Sequence, residues 1–323
     1  MTALDAPARR QAATPRRSRR RPGRHSGWRP GRHSGWHSGW HSGRRPGRHS
    51  GRIMDAGPGT YAILVLVTIV SIFPLYWTLV AASRSNAEIN QVPPPFLPGA
   101  SLFGNLRRAM DTVDMVKALT NSLVVSATIA AGTVFFCTMA GFAFAKLRFR
   151  GRGLLLGLTV GTMMIPSQLG IIPLFIVIAR LHWVDHLQAV ILPTLVTAFG
   201  VFMMRQFLVE ALPVDLVEAA WVDGASTWRI FRSIVLPIAR PAMAVLAMLS
   251  FLTAWNDFFW PIVALTSTNP TVQVALNNLG GGYVPDQSVI MAGTLIGTVP
   301  VLVVFALLGR QIVGGMMQGA VKG

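Results

Sequence analysis

Beyond residue 60 the chain repeatedly runs for about the thickness of a bilayer with almost no charge. A helix needs about 20 apolar residues to cross ~30 Å of hydrocarbon. Six stretches meet that length: Tyr61–Ala82, Leu119–Ala145, Leu154–Ala179, Gln188–Phe207, Ile238–Leu265 and Val289–Leu308. The fifth is interrupted by Asn256 and Asp257, and Pro74, Pro166, Pro173, Pro193 and Pro300 fall inside the others. Such prolines are tolerated in a bilayer because neighbouring helices can satisfy the freed carbonyls. Only 13% of the residues are charged, about half the ~25% of an ordinary soluble domain. The expected fold is therefore an all-α membrane protein with six transmembrane helices.

Lys and Arg in short loops set the orientation. Lys146, Arg148, Arg150 and Arg152 lie between the second and third spans, and Arg205, Arg229, Arg232 and Arg240 at or near the ends of the link between the fourth and fifth. The link from the third to the fourth carries Arg180 with Asp185, and residues 267–287 carry no Lys or Arg. Both termini, with Arg310 and Lys322 near the C-terminal end, are expected on the cytoplasmic side, and the segment 83–118 outside.

Residues 1–54 read as a different kind of sequence, and residues 55–323 as the membrane domain. The first part holds fourteen Arg and one acid, Asp5, so thirteen of the seventeen net positive charges lie there. Arg24-His25-Ser26-Gly27-Trp28 returns as Arg32-His33-Ser34-Gly35-Trp36 and then in shortened forms, punctuated by Arg-Pro-Gly. Gly, Pro and dense like charge cannot build a core, so this segment is expected to be disordered. Arg with interleaved Trp suits nucleic acid or anionic lipid, five His suit weak metal binding, and low-complexity sequence of no selected role is the third reading. Met54, just ahead of the first span, is an alternative start. The tail lacks the single apolar run of a signal peptide.

The single cysteine, Cys137, excludes an intramolecular disulfide and any multi-cysteine metal centre. No metal site or catalytic residue is expected, and no G-x-x-x-x-G-K-[ST] phosphate loop occurs anywhere.

The link between the fourth and fifth spans carries the most information. Pro213 suits the first turn of a helix, Gly224 the left-handed position just past its end, and Ser226 the cap of a second helix running to Pro237. A rigid helix, turn and helix projecting from the membrane could dock into a groove on a partner. Ala219 and Ala220 permit close approach, and Glu218 and Asp223 offer carboxylates. A generic turn between two spans is the plainer alternative. DNA binding is not expected, because both flanks are tied to the membrane.

Glu218-Ala219-Ala220, followed by Asp223-Gly224-Ala225 and by Ile234-x-Leu236-Pro237, resembles the EAA loop of bacterial ABC importer permeases. With Phe231 and Pro241 the spacing is similar to the carbohydrate-importer branch of MalG type. Phe73-Pro74-Leu75-Tyr76-Trp77, Asn121-Ser122, Ala140-Gly141-Phe142, Met164-Ile165-Pro166 and Trp255-Asn256-Asp257-Phe258 also match that branch, so the resemblance covers about residues 61–323. It implies a permease of the bacterial inner membrane, with an extracytoplasmic binding protein delivering a sugar, a second, MalF-like permease completing the path, and two copies of a cytoplasmic ATPase. Glu218, Ala219, Ala220, Asp223, Gly224, Ala225 and Pro237 would form the ATPase-coupling element. The chain itself would hydrolyse nothing, ATP and Mg being cofactors of the ATPase. A polyol or glycerol phosphate fits the same loop equally well. An ion-coupled secondary transporter would need inverted repeats, and none is evident.

Within the spans, Asn121, Gln168, Trp255, Asn256 and Asp257 are the polar and aromatic candidates for a translocation path. An unpaired Asp in lipid costs about 2.5–3.5 kcal/mol, so Asp257 is expected to face protein or water. Helix–helix hydrogen bonding is the competing account of the set.

Overall fold

The computed structural model describes residues 57–281 and 284–320, with side chains as far as 307. Residues 1–56, residues 282–283, and the side chain of Arg310 and all of Lys322 at the C-terminal end lie outside the described part.

The chain forms α1 (Pro58–Ala82), α2 (Asn86–Ile89), α3 (Leu102–Thr112), α4 (Met115–Lys146), α5 (Arg152–Thr162), α6 (Ile171–Arg180), α7 (Leu187–Ile191), α8 (Ala198–Ala211), α9 (Val214–Val222), α10 (Thr227–Ile230), α11 (Leu236–Trp255), α12 (Phe259–Ala264), α13 (Val272–Leu279) and α14 (Gln287–Ala320). No strand occurs among the described residues. Five helical stretches are long and apolar enough to cross a membrane, or six if the bent pair α5 and α6 counts as one.

The central element is α4. At 32 residues it is about 48 Å long by the α-helical rise, and Asp114 caps it by accepting from the Lys117 N–H at 2.9 Å. The helices α8 and α11 pack along it, with Cys137, Phe142, Met204, Leu208, Phe231 and Leu246 forming the largest buried cluster. Small residues allow the approach: a Cβ on Gly141 would meet Met204 and Arg205, and one on Gly200 would meet Cys137. This is how membrane helices bind one another when lipid is as apolar as their own side chains. By contrast, α1 buries only Val80, Ala81 and Ala82, at its C-terminal end.

Three spans differ from the sequence expectation. The third is not straight: α5 and the 3₁₀ turn leading into α6 meet at 94°. Pro166 at the break has no N–H, and its ring holds Ile165 away from helical geometry. The fourth is interrupted by a 3₁₀ turn, Leu192–Thr194, that contains Pro193. The fifth begins earlier and ends sooner than expected, running from Thr227 to Trp255. Asn256 closes it, donating from Nδ2 to its own Leu252 carbonyl at 2.9 Å. Pro237 does not break that helix, because a π turn, Phe231–Val235, precedes it. Widening the spacing to five residues moves the Ser233 carbonyl away from the proline ring.

The end of the bundle opposite the 212–226 loop is held by polar contacts. Asn105, buried on α3, donates to the Ala82 and Arg84 carbonyls, both at 2.8 Å. Arg108 pairs with Asp286 at 2.8 Å and joins α3 to the start of α14. Asp185 accepts from the Thr266 N–H at 2.9 Å and from the Thr268 hydroxyl, while its carbonyl accepts from Asn269 Nδ2 at 2.8 Å.

Candidate functional site

The 212–226 loop is built as its residue types require. Pro213 sits one position before the helix rather than in its first turn, with ψ at 141°, and α9 follows. The helix closes in a Schellman motif: the Gly224 N–H donates to the Trp221 carbonyl at 3.0 Å and the Ala225 N–H to the Ala220 carbonyl at 2.9 Å. That closure needs a left-handed residue, and Gly224 has φ of +76°. Ser226 then caps α10 by accepting from the Arg229 N–H at 3.3 Å.

The loop is anchored from beneath and free above. Leu212, Val217, Ile230 and Phe231 are buried in the α4–α8–α11 cluster. Glu218, Ala219, Asp223 and Gly224 are exposed, and Ala220 and Ala225 half-buried. Val222, beside them, is 87% exposed. Pro237 lies apart from these residues, in the first turn of α11. A short helix thus offers the carboxylates of Asp215, Glu218 and Asp223, small residues, and the exposed aliphatic side chains of Val214, Leu216 and Val222, the make-up of a helix that seats in a groove.

The candidates within the spans do not come together. Asn121, buried on α4, donates to the Pro270 carbonyl at 3.0 Å. Trp255 is buried against Phe251 and donates from Nε1 to the Gly297 carbonyl of α14 at 3.2 Å. Gln168 is exposed at the bend before α6, and Asn256 is exposed where α11 ends.

Of these candidates Asp257 alone lines a cavity of about 380 Å³ that opens between α4, the break before α8, and α11. Thr133, Thr194, Thr197, Ser250 and Thr253 line it too. The α11 contributions, Leu246, Leu249, Ser250 and Thr253, fall at helical spacing along one face. That spacing was legible in the sequence, but hydroxyls in an apolar helix usually bond their own preceding turn and so do not stand out. Thr133 is different: its hydroxyl is buried without a partner among the described residues.

Residues 137–316 match the family described as binding-protein-dependent transport system inner membrane component. The lactose transport system permease protein LacG of Rhizobium radiobacter is 31% identical over 81% of this chain and 95% of its own length. The sn-glycerol-3-phosphate transport system permease protein UgpE of Pectobacterium atrosepticum is 32% identical over 80% and 95%. The arabinooligosaccharides transport system permease protein AraQ of Halalkalibacterium halodurans is 31% identical over 80% and 93%. Among solved structures, a chain of a bacterial ABC transporter involved in the import of the acidic polysaccharide alginate has the same fold. It superposes with a TM-score of 0.68 at 21% identity, covering 78% of this chain and 94% of that one.

Proposed function

Because this chain belongs to the family of binding-protein-dependent transport system inner membrane components, we propose that it is the permease subunit of an ABC importer for a sugar or oligosaccharide. It contributes half of the translocation path and contains no ATPase of its own. The observation that carries the reading is the 212–226 loop: a helix closed at Gly224, anchored through Val217 and Ile230, with Glu218, Ala219 and Asp223 left bare. In this reading the loop seats in a cleft of a cytoplasmic ATPase and turns closure of two such subunits into movement of the spans. Both chain termini then lie in the cytoplasm. A second permease completes the path, and an extracytoplasmic binding protein delivers the solute. The relatives named for lactose and arabinooligosaccharides support a sugar, and the one named for sn-glycerol 3-phosphate keeps a small phosphorylated solute as the second reading.

A mild-detergent pull-down from native membranes, with a tag at the C-terminus, tests this. Mass spectrometry of the captured proteins is expected to find an ABC ATPase, a second multi-span permease and a solute-binding protein. Recovery of the chain alone, or with nucleic acid held through residues 1–54, would overturn the assignment.

A further inference from the structure

We propose that the cavity between α4, the break before α8, and α11 is a contact site for an uncharged, hydroxyl-rich solute, with Asp257, Ser250, Thr253 and Thr133 as its polar groups. The proposal rests on the permease reading and adds the location and charge of the site to it.

The depth of the cavity comes first. Thr133 lies near the middle of α4, which runs from Met115 to Lys146. Beside it, the span Leu187–Ala211 is broken at Leu192–Thr197. Irregular backbone at membrane depth persists only where protein buries it or where it lines a water-filled space, and interrupted helices are the usual frame of solute sites in transporters. Here the break supplies Thr194 and Thr197 to the cavity wall.

The chemistry of the wall comes next. Thr194 donates to the Val190 carbonyl at 2.9 Å, and Thr197 accepts from the Gly200 N–H at 3.0 Å. The second bond also closes the N-terminus of α8. The Thr133 hydroxyl has no partner among the described residues, and a buried hydroxyl left so is costly without a ligand or water. Among the described residues no Lys, Arg or His lines the cavity, whereas Asp257 does. A carboxylate with no facing cation repels phosphate and carboxylate solutes and accepts hydrogen bonds from solute hydroxyls. Leu246, Leu249 and Phe199 supply the apolar wall against which the C–H faces of a sugar ring can lie.

The test uses the complete transporter, with its partner subunits, in proteoliposomes. ATP-dependent uptake is measured for lactose, maltose, arabinotriose and sn-glycerol 3-phosphate. At least one neutral sugar is expected to enter and the phosphate to be excluded. Asp257→Asn and Ser250→Leu are each expected to raise the half-saturating concentration of that sugar about tenfold, the effect of losing a hydrogen bond to a charged or buried group. Ile172→Ala, on the exposed face of α6, is the control. A Ser250→Cys variant covers the case of poor folding: its labelling by a small water-soluble thiol reagent is expected to slow about fivefold in the presence of the transported sugar. Unchanged half-saturation in both variants, unprotected labelling of the cysteine, or preferred uptake of the phosphate would overturn the site while leaving the permease reading intact. ATP-dependent uptake of none of the four would remove the permease reading and the site with it.

Discussion

Gly141 of α4 lies directly against the backbone of Arg205 in α8, so that a Cβ on the glycine would come within 2.8 Å of the Arg205 nitrogen. The same register holds one turn earlier, where Cys137 meets Gly200, and again where Lys146 Nζ donates to the Val209 carbonyl at 3.3 Å, 63 residues along the chain. The two helices therefore run parallel with a fixed offset, and the glycine is what lets their backbones touch. Gly141→Val is expected to lower stability by about 1–3 kcal/mol through overpacking, read as a lower Tm in detergent. Gly153→Ala, where a Cβ would meet nothing within 4 Å, is the control and is expected to leave Tm unchanged or slightly raised.

Gly224 closes α9 with φ of +76°, a conformation that costs any residue with a Cβ about 1–2 kcal/mol. Gly224→Pro would also remove the N–H that meets Trp221. With Glu218→Lys, which reverses an exposed charge beside it, this variant is expected to uncouple ATP hydrolysis from uptake in the reconstituted transporter while the protein still reaches the membrane. Normal, ATP-coupled uptake by both would remove the coupling role from the loop.

Asp185 sits at the end away from that loop, with its carboxylate held by Thr268, Thr266 and Asn269. Partial burial pushes its pKa up, but these hydrogen bonds prevail and leave it below the usual value of 3.8. A carboxyl depressed in the folded state stabilises that state above its unfolded value, and the contribution is lost as pH falls through the folded value. Hydrogen exchange of residues 266–270 is therefore expected to quicken when the pH falls below about 4. Asp185→Asn is expected to show the quicker exchange already at neutral pH, with a weaker dependence on acid.

Asn105 satisfies two carbonyls at the end of α1, those of Ala82 and Arg84. Asn105→Leu would leave both unpaired in a buried place, at about 1–3 kcal/mol each. Limited proteolysis between residues 83 and 101 is expected to accelerate in this variant. Arg107→Ala, two residues further along α3 and paired with exposed Asp111, is expected to leave the rate unchanged.

Cys137 is fully buried against Gly200 and Thr197. It is expected to resist water-soluble thiol reagents in the folded transporter and to react fully once the protein is denatured, which makes the native chain a suitable background for introduced cysteines.

The sequence by itself determined that the chain is built from long apolar helices and how its exposed loop is made. Hydropathy over about 20 residues reports a property of each segment alone, and Gly224 and Ser226 act through bonds to residues within five positions of themselves. The repeat at residues 1–54 was equally plain as composition. Only the tertiary structure decided the 94° break between α5 and α6, the merging of α10 into α11 past Pro237, and the separation of Trp255 and Asn121 from Asp257. A proline can kink, end or merely decorate a helix according to what packs beside it. The cavity was hidden for a related reason: Thr138 bonds its own Val134 carbonyl, while Thr133, five residues earlier on the same helix, has no partner among the described residues. Nothing in the local sequence separates the two. Which hydroxyl is left for a solute depends on the neighbouring helices, and these come from residues 60 to 120 positions further along the chain.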